Sequence, residues 1–176
     1  FSAMNENEPY GNFNADRDGF RQRAVDASFD WDLTQDWTLS AGVLRSDGVT
    51  YLDDGPGANA RTDIDSTVGR LAVRGRLNDI WTSRLSYNQS RDKSEAKVSA
   101  TPWGFPALFE TRQDQLTWQN DVDTAIGTVV AGVERLEQRV DSSTAYDVRK
   151  RSINSVFAGL NGAAGRHYWQ ANVRRD

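Results

Sequence analysis

The sequence predicts an all-β fold, an antiparallel up-and-down meander of about eight strands forming part of a larger transmembrane β-barrel. Three observations predict it. Hydrophobicity alternates with period two along almost the whole chain, and short and long connections alternate strictly. The first alternating run, Phe20 to Leu33, covers about 14 residues, against the ~5–6 of soluble strands and the ~9–11 needed to cross a bilayer obliquely.

The elements follow in order. Val25, Ala27, Phe29, Trp31 and Leu33 alternate with Asp26, Ser28, Asp30 and Asp32, so one face is dry and the other wet. After Thr34-Gln35-Asp36 the pattern restarts as Trp37, Leu39, Ala41 and Val43 against Thr38, Ser40 and Gly42. Leu71, Val73 and Leu77 stand against Arg70, Arg74 and Arg76; the chain turns at Asn78-Asp79 and returns as Trp81, Leu85 and Tyr87 against Thr82, Arg84, Ser86 and Asn88. A fifth run sets Leu116, Trp118 and Val122 against Gln115, Thr117, Gln119, Asp121 and Asp123, then turns around Ala125-Ile126-Gly127 into Val129, Ala131 and Val133. Ser152 to Leu160 is apolar in both phases, and after the glycine-rich stretch Asn161 to Arg166 the chain ends in Trp169, Ala171 and Val173 against Gln170, Asn172 and Arg174.

Connections near 34–36, 78–80, 124–127 and 161–166 are short, whereas those near 48–63, 92–111 and 141–149 are long and rich in Asp, Gly, Pro and Ser. In a meander this places every short turn at one end and every long loop at the other, as in an outer-membrane barrel. Trp31, Trp37 and Trp81 fall beside short turns, with Trp169 a few residues beyond one, where such a barrel keeps its aromatic girdle. Alternation by itself also suits a soluble sandwich with its dry face against a second sheet; the loop asymmetry and strand length favour the barrel.

Composition narrows the function. With 25 acidic and 21 basic residues the chain is mildly anionic, which disfavours a nucleic-acid partner. No Cys and one His, His167, exclude a disulfide framework, Cys-ligated metal and His-based triads, so the chain is expected not to be an enzyme. The mean hydropathy of −0.69 leaves no window near the ~20 apolar residues of a membrane helix.

The densest set of oxygen ligands is Asn14, Asp16 and Asp18, followed by Gly19. Alternate oxygen ligands with Gly at the sixth position resemble the opening of a calcium loop, but the twelfth position is Val25 and not the bidentate Glu of an EF-hand. Calcium would need carboxylates from a neighbouring loop, where Asp47, Asp53, Asp54, Asp63 and Asp65 stand; the plain alternative is a well-solvated acidic loop. Arg70, Arg74, Arg76 and Arg84 read as a wet wall of mixed charge. Trp103 and Phe105, in Pro102-Trp103-Gly104-Phe105-Pro106, suit gripping a flat organic ligand or packing the loop on itself.

The stretch Asp16 to Phe20, the hairpin Phe29 to Trp37, the strand end Ser86 to Asp92, and the pair Thr117 to Val122 with Gly132-Val133-Glu134 resemble, in order, the barrel of the cobalamin (vitamin B12-type) TonB-dependent outer-membrane receptors. The resemblance implies a 22-stranded barrel of a bacterial outer membrane, plugged by an N-terminal domain on which the TonB system acts. Neither plug nor TonB box is recognisable in these residues, so the chain is expected to be a slice of the barrel. The resemblance also implies calcium-ordered extracellular loops, with Asp16, Asp18, Asp53 and Asp63 or Asp65 as ligands. One departure stands out: Ser2 occupies a position where the family carries an aspartate, with Asn14 or Glu8 as substitutes. The expected function is a share in active uptake of cobalamin or a similar large chelate. A siderophore receptor is the alternative within the family, and a soluble all-β adhesion or scaffold module the alternative outside it. Open strand edges predict self-association of the isolated segment.

Overall fold

The computed structural model describes residues 2–3, 19–53, 59–98 and 106–176, with only the backbone described at 2, 3, 53 and 59. It contains β1 (Ser2–Ala3), β2 (Gly19–Asp32), β3 (Trp37–Asp53), β4 (Asn59–Asn78), β5 (Trp81–Val98), β6 (Ala107–Thr124), β7 (Gly127–Ser142), β8 (Lys150–Ala164) and β9 (His167–Arg175), and no helix among the described residues. All nine form one sheet in chain order, each strand antiparallel to the next, and the sheet does not close. The expected eight-stranded meander is present, extended by the two-residue β1.

At one end the connections are residues 33–36, 79–80, 125–126 and 165–166; at the other they are 4–18, 54–58, 99–106 and 143–149. The asymmetry is as the sequence predicts, but the strands run further outward than the alternation shows. The expected long connection at 48–63 contracts to 54–58, and that at 92–111 to 99–106. These outer strand ends mix polar and apolar residues in both phases, with Val49, Tyr51, Leu52 and Ile64 among Asp, Ser and Thr, so the period-two signal fades while the backbone ladder continues. Cross-strand polar pairs tie them together, such as Ser66 Oγ donating to Asp92 Oδ1 at 2.6 Å and Lys97 Nζ donating to Asp63 Oδ2 at 2.6 Å. At the opposite end the glycine-rich stretch is mostly strand, because β8 continues through Ala164 and turns on Gly165, whose φ of 61° lies in the left-handed region.

Among the described residues no layer covers either face. Ala60 is the only buried apolar side chain among the described residues, and Ser155 the only buried polar one. The accessible surface is 13109 Å², against about 8,600 Å² for a compact protein of this mass. A sandwich hides one face of each sheet against another; here the apolar face stands open from Val25, 72 % exposed, to Val173, 69 % exposed. The sandwich alternative therefore does not describe this fold.

The register aligns the apolar positions into a band. One cross-strand row reads Trp31, Leu39, Val73, Leu85, Trp118, Val133, Val156, apolar on seven successive strands from β2 to β8. The band crosses such rows obliquely. On β2 this row ends the apolar run that starts six residues further out at Val25, whereas on β8 the same row starts the run, which proceeds through Ala158 and Leu160 toward the short turn. Six residues are about 20 Å of strand and six strand spacings about 29 Å of sheet, so the band slopes by roughly 35° to the rows.

Candidate functional site

The opposite, polar face carries a groove of about 420 Å³ across β2 to β5, lined by Asp30, Thr38, Ser40, Arg70, Arg74, Arg84, Ser86 and Asn88, with Ala72 at its floor. Alternation places all of these on one face, and the register sets their spacing. Arg74 stands directly opposite Arg84 on β5 and Thr38 on β3, and Arg70 opposite Asn88. Between the two arginine levels the row Asp30, Ser40, Ala72, Ser86 supplies small side chains, which opens the depression. The nearby carboxylates accept from neutral side chains and from none of these arginines: Ser40 Oγ donates to Asp30 Oδ1 at 2.5 Å, Thr38 Oγ1 to Asp32 Oδ1 at 2.8 Å and Gln119 Nε2 to Asp121 Oδ1 at 2.8 Å. Arg70, Arg74 and Arg84 make no ion pair with any described residue. Arg76 differs, pairing with Asp36 at the β2–β3 turn at 2.6 Å. The sequence reading of one mixed wall thus divides into a paired turn arginine and three uncompensated guanidinium groups. A signal for this was available, since a hairpin centred on Asp79 pairs residue 74 with residue 84.

The other chemically dense region is the outer strand ends, on the face that carries the apolar band further in. Asp63 and Asp65 lie there two residues apart on one face of β4. Asp63 Oδ2 accepts from Lys97, and its Oδ1 is buried, accepts no hydrogen bond and lies 3.4 Å from Arg61 Nε. Its carboxyl is held below the usual range, chiefly by the Lys97 hydrogen bond, with Arg61 adding to the effect against the cost of burial. Asp65 stands opposite Asp47 and pairs with Arg45 at 3.2 Å. Asp53 stands opposite Asn59, four residues beyond the rung where Val49 meets Asp63, or about 13 Å along the sheet. Asp16, Asp18, Trp103 and Phe105 lie outside the described residues. Among the described residues no three acidic or His side chains gather as a metal shell.

Cations dominate the next strands. Arg91, Arg112, Arg139 and Lys150 are successive partners in one row across β5 to β8, directly above the level of Asp114 and Glu137. Opposed like charges destabilise a sheet, and two carboxylates relieve them. Glu110 accepts from Arg91 Nε and Nη2 at 2.7 and 2.8 Å and from Arg112 at 3.3 Å, and Glu137 takes Arg135 at 2.8 Å with Arg139 and Lys150 each at 3.8 Å. Sequence reasoning did not single these residues out, because the row exists only once the register is known.

The apolar band contains few polar side chains, and two of them serve its tryptophans. Trp81 Nε1 donates to Asn120 Oδ1 and Trp118 Nε1 to Ser83 Oγ, both at 3.0 Å. Trp31, Trp37, Trp81 and Trp169 gather at the short-turn end, and Trp37 lies over Gly75, where an added Cβ would meet its ring at 2.6 Å.

No family model matches the chain, and no curated protein matches it.

Proposed function

We propose that the chain forms part of the wall of an outer-membrane β-barrel, in a TonB-dependent receptor that takes up cobalamin or a similar large chelate. The observation that carries the wall reading is the uncovered apolar band sloping at roughly 35° to the cross-strand rows. Strands of membrane barrels tilt by about 35–45°, so that a band level with the bilayer runs obliquely across their rows. Neither a soluble single sheet nor a sandwich has reason to order its apolar residues on that slope. The tryptophans at the short-turn end and the indole partners inside the band support the same reading, since an unpaired N–H is costly in hydrocarbon.

The receptor class and substrate rest on the ordered resemblance over Asp16 to Phe20, Phe29 to Trp37, Ser86 to Asp92 and Thr117 to Glu134. In this reading the long-loop end faces outward and captures the chelate, calcium stiffens the loops and lowers the entropy cost of binding, and TonB acts through a plug. The calcium part rests on Asp16, Asp18 and Asp53, because Asp63 and Asp65 already face Lys97, Arg61 and Arg45.

The direct test is insertion of the full chain into phosphatidylcholine vesicles. Quenching of Trp118 fluorescence by lipids brominated at mid-chain, with protease protection of the strands, is expected; a chain that stays water-exposed and unquenched overturns the wall reading. For the receptor, cells relying on the intact protein are expected to import cobalamin in a TonB-dependent manner. Import of an iron chelate in its place would reassign the substrate.

A further inference from the structure

We propose that the polar-face groove framed by Arg70, Arg74 and Arg84 is a binding site for a small oxyanion bearing carboxylate or phosphate groups.

Charge balance carries the argument. At the outer strand ends cations and carboxylates are interleaved, with Glu110 and Glu137 each shared among several cations. In the groove the pattern breaks. Three guanidinium groups face the same depression with no carboxylate paired to any of them, while Asp30 on the groove wall accepts from Ser40, Asp32 from Thr38, and Asp121, diagonal to Arg84, from Gln119. Arg74 and Arg84 are direct cross-strand neighbours, so their repulsion is part of the resting sheet. An anion between them removes that repulsion.

Shape agrees with charge. Ser40, Ala72 and Ser86 keep the row between the arginines low, leaving about 420 Å³, room for a small polyanion rather than a single bound water. Guanidinium presents a planar fork matched to carboxylate and phosphate oxygens, and Ser86, Asn88 and Thr38 add neutral polar groups around it. The level is also informative. The Arg74–Arg84 rung lies between the Val73–Leu85 rung and the Gly75–Ser83 rung of the apolar face, within the band itself. Ionisable groups at that depth face water-filled interiors and mark solute paths. This last step rests on the barrel-wall reading; the charge balance and the shape do not.

Calorimetric titration of the full chain folded in detergent micelles, with sodium phosphate and separately with sodium citrate, tests the site. Saturable binding of at least one anion is expected, weakened about tenfold or more by Arg74→Gln with Arg84→Gln and by raised sodium chloride. A phosphate-only signal assigns a compact tetrahedral group, and a citrate-only signal a polycarboxylate. Because the glutamines remove a like-charge pair, this variant is expected to keep its β-sheet circular dichroism. Arg74→Lys with Arg84→Lys keeps the charge but loses the fork and is expected to fall between the two, and Arg112→Gln on the other face is expected to change nothing. No saturable heat with either anion on the folded chain, or binding equal in the glutamine variant, overturns the site. Binding in micelles does not depend on vesicle insertion, so failure of the wall reading and failure of the site are separately visible.

Discussion

Trp81 and Asn120 are joined across the β5–β6 pair, with the indole Nε1 donating to Oδ1 at 3.0 Å on the apolar face. An asparagine there is out of keeping with its neighbours Trp118 and Val122 until the indole is considered. In hydrocarbon no water is available for the N–H, and an unmet donor costs on the order of 1–3 kcal/mol. Asn120→Ala is therefore expected to destabilise the inserted chain by about that amount despite making the face more apolar. Trp81→Phe with Asn120→Leu removes donor and acceptor together and is expected to recover most of the loss. Urea unfolding from vesicles reads both; an Asn120→Ala chain as stable as the parent would show that the bond is not holding the β5–β6 pair together.

Two glycines on the same face of β4 give a sharper contrast. A Cβ at Gly75 would come within 2.6 Å of the Trp37 ring, whereas one at Gly69 meets nothing within 4 Å. Gly75→Ala is expected to cost about 1–3 kcal/mol, because the rigid indole must leave its seat over the backbone. Gly69→Ala is expected to be neutral or stabilising by roughly 0.5–1 kcal/mol, from the lower entropy of the unfolded chain. Unfolding midpoints of the two variants in the same vesicles check the sign difference.

The outer strand ends carry a pH dependence. Asp63 is held below the usual carboxylate range chiefly by Lys97, Glu95 by Lys93 and Glu110 by Arg91. A group depressed in the folded state contributes stability that is present above its unfolded pKa and lost as pH falls through its folded one. These carboxylates therefore support the folded chain near neutrality, begin to lose that contribution as pH falls below about 4, and lose it fully only below their lowered folded values. Loosening on acidification is expected first at the ends of β4, β5 and β6, read as faster amide exchange there than at the Val73–Leu85 rung. Glu110→Gln is expected to flatten the response at the β5–β6 end, and protection relative to the intrinsic exchange rate that stays constant there between pH 7 and 3 would contradict the assignment.

How much of this was readable beforehand depends on where a residue sits relative to the apolar band. Inside it, the phase of Val25 to Trp31 or Trp37 to Val43 states which face is dry, and the hairpins are centred on their short turns. Outside it, polar residues such as Asp47 on β3 and Asp63 and Ser66 on β4 fall in both phases and Val49, Leu52 and Ile64 interrupt them without a regular period, so nothing in the pattern separates strand from loop. The arginine groove lay between these cases. Its three guanidinium groups were visible in one phase, but the commitment of Asp30 to Ser40 and of Asp32 to Thr38 is a matter of register and rotamer. The slope of the band likewise appears only when six registers, from β2 to β8, are followed in succession.

The open sheet makes a last prediction. Among the described residues β9 is bonded on one side only, to β8, and at the other end β1 is bonded only to β2. An unpaired edge exposes a row of N–H and C=O groups that another strand can satisfy. On β9 Trp169, Ala171 and Val173 continue the apolar face to that edge, so a second copy joining there would extend both the hydrogen-bond ladder and the dry surface. Arg174 offers limited protection, since its guanidinium is drawn inward to Glu134 at 2.6 Å and to Asp176 at 2.7 Å. The full chain in mild detergent is therefore expected to sediment as concentration-dependent oligomers, with Ala171→Lys shifting the distribution toward monomer by placing a charge on the apolar edge. A monomer that persists at high protein concentration would mean that the edges are protected and that edge pairing does not govern its association.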